Sequence, residues 1–268
     1  GIIAKGTFGS GATLPDGLSS LGNSRLIWYP RKAAFRAGYS SGNSWDDANI
    51  GNYSAAMGAN TIASGAYSVA GGGDSNTASG QYANVVGGQT NVSSGNYSAV
   101  AGGRSNTASR DYTTIGGGQS NIAGTLYSTI LGGQSNSITT NIADASHSTI
   151  GGGINNIIEI AGYSNINGGQ DNHIEANIQE LSDFYSVIGG GLNNRSQHPH
   201  GVVGGGHSNI ANGDARVALN ALETAAGGPV AGRRGGGGAD GGGLAAGQRR
   251  TRPAGGGAGD RVARRHER

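Results

Sequence analysis

The sequence contains no cysteine, which removes disulfides, thiolate nucleophiles and cysteine-ligated zinc together. Charged residues are only 13% of the chain and leave a formal net charge of +2, and aromatic residues make up 6%. Large apolar side chains are scarce as well: Leu, Ile, Val and Phe number 11, 20, 11 and 3 among 268 residues. Such scarcity suggests disorder, but a disordered chain with so little charge is unusual. No apolar run approaches the ~18 residues of a membrane-crossing helix. What remains is a fold that hydrogen-bonds its backbone heavily and packs small side chains, and regular repetition is the usual way to reach it.

Glycine is the abundant residue, with 55 copies, but it does not recur every third position, which excludes collagen. A longer period holds instead. The motif Tyr-Ser-x-Ile/Val-Gly-Gly-x-x-x-Asn places its aromatic at Tyr67, Tyr82, Tyr97, Tyr112 and Tyr127, each 15 residues apart, after a leading copy at Tyr53 that is one residue shorter. Further copies begin at His147, Tyr163, Tyr185 and His200, after steps of 20, 16, 22 and 15. Within each copy a Gly precedes an Asn by three positions: Gly73 and Asn76, Gly88 and Asn91, Gly103 and Asn106, Gly118 and Asn121, Gly133 and Asn136, Gly153 and Asn156, Gly169 and Asn172, Gly191 and Asn194, Gly206 and Asn209.

Two columns repeat with the motif. Three positions after the aromatic stand Ala56, Ala70, Val85, Val100, Ile115, Ile130, Ile150, Ile166, Ile188 and Val203. Two positions after the Asn stand Ala78, Ser93, Ala108, Ala123, Ile138, Ile158, Ile174, Ser196 and Ala211. Two short strands per repeat, each pointing one small or apolar residue inward and separated by glycine turns, describe one coil of a β-solenoid. The Gly pairs are expected to supply turns with positive φ, and the Asn column to hydrogen-bond from coil to coil while tolerating left-handed backbone. These Gly and Asn residues therefore read as structural turn and ladder positions, with no catalytic residue, no metal ligand and no cofactor among them.

Three segments follow: an N-terminal cap or lead-in over 1–51, the repeats over 52–215, and an Arg/Gly/Ala-rich low-complexity tail over 216–268. The lead-in holds both tryptophans, Trp28 and Trp45, with Phe35 and a basic patch of Arg31, Lys32 and Arg36. It is expected to cover the open end of the first coil, although Trp28 with Tyr29 also offers a sugar-stacking alternative. Within 227–268, nine Arg stand against Asp240, Asp260 and Glu267, a net +6, so the basic character of the chain belongs to its tail. That tail reads as dispensable low complexity, or as a reading-frame artefact, and not as a nucleic-acid arm. The longer steps predict surface loops over 139–145 and 173–184, and the second, with Glu175, Glu180 and Asp183, is the better candidate for a specific contact.

The stretches Asn52-Tyr-Ser-Ala-Ala-Met-Gly58, Thr61-Ile-Ala-Ser-Gly65, Tyr97-Ser-Ala-Val-Ala-Gly-Gly103 and Ser105-Asn-Thr-Ala-Ser109 resemble the head of trimeric autotransporter adhesins, the YadA-like left-handed parallel β-roll, and related tail-fibre-type surface proteins. The lead-in stretches Trp28-Tyr-Pro-Arg-Lys-Ala-Ala-Phe-Arg-Ala-Gly38 and Ser44-Trp-Asp-Asp-Ala-Asn-Ile-Gly51 add to the likeness, which covers about residues 25 to 220. It implies an all-β, left-handed roll of about ten coils of 14–15 residues, a homotrimer displayed on an outer membrane or a virion fibre, and attachment to host matrix, cell-surface glycan or protein. The 15-residue coils with paired Gly depart from the family's usual 14 with one Gly, and they keep a phage-type tail fibre or spike, receptor-binding or polysaccharide-degrading, as the alternative. No anchor barrel, coiled-coil stalk or chaperone-type domain is visible in the sequence.

Catalytic and metal-binding patterns in the sequence are weak beside this reading. None of the Gly pairs is followed by the Lys of a phosphate-binding loop. Only Asp74 and Asp171 stand near positions that a calcium-binding repeat would use. His198, His200 and His207 lack an accompanying recurrent carboxylate, and Asp46 and Asp47 point to opposite faces if extended. The Ser column after the aromatic is too mixed for an ice-binding face. The chain is therefore expected not to be an enzyme.

Overall fold

The computed structural model describes residues 7–9, 23–139, 146–159, 162–175, 185–212 and 217–218. Residues 1–222 form one compact unit; 223–268 form a second, which lies wholly outside the described residues, together with what the sequence predicts of the tail. The described chain is all-β except for two short 3-10 turns, Pro30–Lys32 and Asp47–Asn49.

Two sheets account for the architecture. Strands β1 (Asn23–Tyr29), β2 (Ala34–Ser40) and β3 (Ala55–Ala59) open a 13-stranded sheet that continues through the odd-numbered strands from β5 (Val69–Ala70) to β23 (Val217–Ala218). The even-numbered strands, β4 (Ile62–Ala63) to β22 (Ile210–Ala211), make a parallel sheet of 10. Most strands are only two residues long because each must put just one side chain inward before the chain turns to the other sheet. Pairing is parallel and in register, so like residues stack: Ile115 on Ile130, Ile130 on Ile150, Ala108 on Ala123.

Both predicted columns are buried and meet between the sheets. Their sizes vary along the axis. Ala56, Ala63 and Ala70 form a thin cluster at the start, whereas Ile150 and Ile166 share the middle of the main cluster with Ile158 and Ile174. Three even strands there are longer: β14 (Ser137–Thr139), β16 (Ile157–Glu159) and β18 (His173–Glu175). This corrects the expected loop bounds, since Thr139 and 173–175 are strand residues paired to neighbouring coils. Continued ladder pairing holds them to the sheet, and the remainder of both insertions, with Glu180 and Asp183, lies outside the described residues.

The lead-in closes the thin end. Strand β1 pairs antiparallel with β2, which pairs parallel with β3. Trp45 is buried and donates its indole N–H to the Thr61 carbonyl at 3.0 Å. Arg36 is fully buried where the alanine cluster leaves room, and donates to the carbonyls of Phe35, Ser54 and Ala63 and to the Ser54 hydroxyl. Burial lowers its pKa to about 10. Arg31, Lys32 and Arg36 do not form one basic patch, because Arg36 is inside and Lys32 clamps the Ile50 carbonyl and the Asp47 carboxylate at 2.9 and 3.3 Å. Tyr29, also buried, donates its hydroxyl to Asp47, and that bond, ahead of Lys32, holds the Asp47 carboxyl below its ordinary pKa. Trp28 faces outward, 41% exposed and opposite Phe35, so it does not pair with Tyr29 in a sugar-stacking face.

Ile130→Asp places an unpaired charge in a fully buried column and is expected to cost several kcal/mol. Ser128→Ala removes only a hydroxyl that donates to the Thr125 carbonyl at 2.7 Å, worth about 1 kcal/mol. Thermal melts of the two variants check this, and equal melting temperatures would contradict the inward assignment.

Candidate functional site

Each coil turns at two left-handed corners. At the first, the aromatic itself adopts positive φ in nine of the ten copies, from 54° at Tyr163 to 62° at His147. A non-glycine residue pays about 1–2 kcal/mol for this region, so something must hold it there. Part of the answer is the Ser or Thr that follows: the hydroxyls of Ser54, Ser68, Ser98, Thr113 and Ser128 bond to the carbonyl three residues back at 2.6–2.7 Å and close the turn. The aromatic N–H meanwhile reaches the preceding coil, as from Tyr67 to the Asn52 carbonyl at 2.8 Å.

The second corner belongs to Gly and Asn. Its left-handed residue is the one before the Asn, such as Ser75, Thr90 or Ser105, and the ladder Asn is not in that conformation. The left-handed tolerance expected of Asn is thus not used at the ladder position. Asn121 shows what the Asn does instead. Its Nδ2 donates to the carbonyls of Gly117 and Gly133 at 2.9 and 3.0 Å and to Asn106 Oδ1 at 3.1 Å, while its own Oδ1 accepts from the backbone and side-chain nitrogens of Asn136 at 3.0 and 3.1 Å. Side-chain links of this kind run unbroken from Asn91 to Asn209, and Asn91 N–H reaches Asn76 Oδ1. The Gly three positions earlier is fixed by contact as well as by φ. A Cβ on Gly118, at φ 87°, would stand 2.0 Å from the Gly133 carbonyl oxygen and 2.8 Å from Asn121 Nδ2. Its partner in the Gly pair is less constrained: Gly72, Gly87 and Gly132 lack positive φ and have open space where a Cβ would go, and nothing in the structure explains glycine there.

The aromatic column does more than mark the repeat. Phe8, Tyr53, Tyr67, Tyr82, Tyr97, Tyr112, Tyr127, His147, Tyr163, Tyr185 and His200 form one continuous stack, with successive ring centroids 4.6–5.6 Å apart and planes within 24°. Spacing alone records that these residues recur; that their rings touch follows only once the coil rise is set near 4.8 Å by parallel pairing. His200 is thereby drawn into the stack, while His207 pairs by its backbone with Leu192 on another edge.

One charged cluster lies on the outer face of the 10-stranded sheet. Register sets Glu159 beside Glu175 and His173 beside Arg195. His173 stands 3.4 Å from Glu159 and 3.6 Å from Glu175 through its two ring nitrogens; Arg195 meets Glu175 at 3.2 Å, and Gln197 donates to the same carboxylate. Beside it opens a shallow hollow lined by Asn155, Asp171, His173, Asn193, Arg195 and Ser208. The signal was in the sequence, because each cluster residue stands one or three positions after a ladder Asn, where alternation points it outward. Which coils are neighbours had to be known to group them.

Asn121→Ala is expected to destabilise by about 2–4 kcal/mol, from orphaned carbonyls and a small cavity. Asn121→Asp sets a buried carboxylate oxygen against two carbonyls and is expected to cost more at neutral pH. Burial and those acceptors raise the folded-state pKa of the new carboxyl, so the folded form binds its proton more tightly than the unfolded chain and stability recovers as pH falls. Melts of both variants from pH 7 to pH 4 check the order and the sign.

No protein-family model and no curated protein matches the chain.

Proposed function

We propose that this chain is the head of a surface adhesin: a non-catalytic, left-handed β-roll that assembles as a homotrimer and attaches to host matrix, cell-surface glycan or protein from the outer membrane of a bacterium. The observation that carries the reading is repetition itself. Every coil offers the same outward positions at one spacing, locked in register by the Asn and aromatic columns. A surface of many weak, equivalent contacts gains from avidity, by about 10²–10⁴ over single-site affinity, without a deep pocket. The likeness of the motif stretches to trimeric adhesin heads supplies the copy number, the hand and the location.

Self-association has a surface to use. Leu26, Trp28, Phe35, Tyr39 and Met57 are 36–76% exposed on one face of β1, β2 and β3. Contiguous exposed apolar side chains mark contact sites, and the outward Val86 and Leu131 carry apolar character further along the 13-stranded sheet. The charged cluster around Glu175, at the root of the second insertion, is the place where one rod would differ from another in partner.

A tail-spike reading draws on Glu159 and Glu175, the adjacent carboxylates a polysaccharide hydrolase would need. Both, however, are engaged by His173, and Glu175 by Arg195 as well.

Sedimentation of the chain at micromolar concentration should give a trimer, and the double variant Leu26→Lys/Trp28→Lys should shift it toward monomer. Screened against matrix proteins, glycans and bacterial envelopes, the trimer should bind at least 10²-fold more tightly than the monomeric variant. A stable monomer that binds at full strength overturns the reading, and release of reducing ends from a bound glycan replaces it with the spike.

A further inference from the structure

The aromatic stack has an unusual surface chemistry. Tyr67, Tyr82, Tyr97, Tyr112 and Tyr127 are each 41–49% exposed, yet their planes lie within 15° of one another at centroid separations of 4.7–5.0 Å. Rings stacked in this offset way cover much of each other's faces, so ring edge and hydroxyl dominate what they present outward. The consequence is selective. A sugar packs its C–H groups on a full aromatic face, and along this run each face is shared with the neighbouring ring. An aromatic edge is the positive rim of the ring quadrupole and attracts the electron-rich face of another π system, at about 0.5–1.5 kcal/mol per edge-to-face pair.

A flat conjugated molecule laid along the stack would meet several such edges at once, and a longer one would meet more. The hydroxyls of these five tyrosines make no hydrogen bond to a described residue, which leaves a row of donors and acceptors at the coil spacing. Ring edges alone would suit any planar hydrocarbon; edges beside a row of free phenols suit a ligand that is planar, elongated and itself hydroxylated. We propose that the stack is a linear binding site for elongated planar phenolic compounds of the hydroxystilbene and flavonoid kind. The site does not depend on what the rod adheres to, so this inference and the adhesin reading fail separately.

The test titrates the chain, as it assembles in solution, with the trihydroxystilbene resveratrol and follows fluorescence polarisation, with cellohexaose as competitor. Saturable binding that cellohexaose does not displace is expected. Tyr82→Asn/Tyr97→Asn/Tyr112→Asn keeps a residue type that tolerates positive φ but removes three consecutive rings, and should weaken binding tenfold or more with the circular dichroism unchanged. Tyr82→Phe/Tyr97→Phe/Tyr112→Phe keeps the stack, as Phe8 does at its end, and should weaken binding about threefold through lost hydroxyl contacts, roughly one neutral hydrogen bond. This second variant preserves the test if the first fails to fold. Absence of binding by the native chain, displacement by cellohexaose, undiminished affinity of a folded Asn variant, or undiminished affinity of the Phe variant each overturns the proposal.

Discussion

Parallel pairing of each coil on the next is the constraint from which the other features follow. It fixes the rise near 4.8 Å, and at that rise any residue type repeated at one position touches its own copies. Asn bonds Asn, Tyr stacks on Tyr, Ile packs on Ile, and Gly yields to a carbonyl of the following coil. The chemistry of a stack therefore depends on whether a side chain is complementary to itself. Amide and aromatic groups are; a column of one charge is not, so one edge runs Asp74, Gln89 and Arg104, and where Glu159 does meet Glu175 the His173 ring stands against both.

The same constraint explains how the roll tolerates variation along its axis. Where the chain steps out into its insertions, the even strands gain a third residue and the inward position becomes Ile at 138, 158 and 174. Longer pairing and larger buried side chains flank the points where regular coiling is interrupted. At the other extreme the core thins to Ala56, Ala63 and Ala70, and the long side chain of Arg36 occupies the space, its two terminal nitrogens bonded to carbonyls and a hydroxyl instead of a carboxylate.

The all-β class, the two inward columns and the Gly–Asn corner were legible in the sequence because each is a property of one position read down the repeat. The corners were legible only in part. Positive φ falls on the Gly three positions before the Asn, as its type predicts, but also on Tyr and on the residue before Asn, where hydroxyl and ladder bonds close the turn against local preference. The Glu159, His173, Glu175 and Arg195 cluster draws on three coils separated by steps of unequal length, so sequence distance concealed it. The sequence groups Arg36 with Arg31 and Lys32 as one basic patch, and only the antiparallel turn of β1 onto β2 shows that Arg36 points inward.

A solenoid that ends on an open parallel strand can accept the tail of another, and head-to-tail contacts that never close grow into fibres. Here the first edge runs the opposite way, and Trp45 and Arg36 seal the core beneath it. A further coil laid on β1 would pair antiparallel to it, outside the parallel register that stacks like residues. The roll thus has two unlike ends, and in a flank-to-flank assembly of the proposed kind the sealed ends could all face one way, which would give it a built-in polarity.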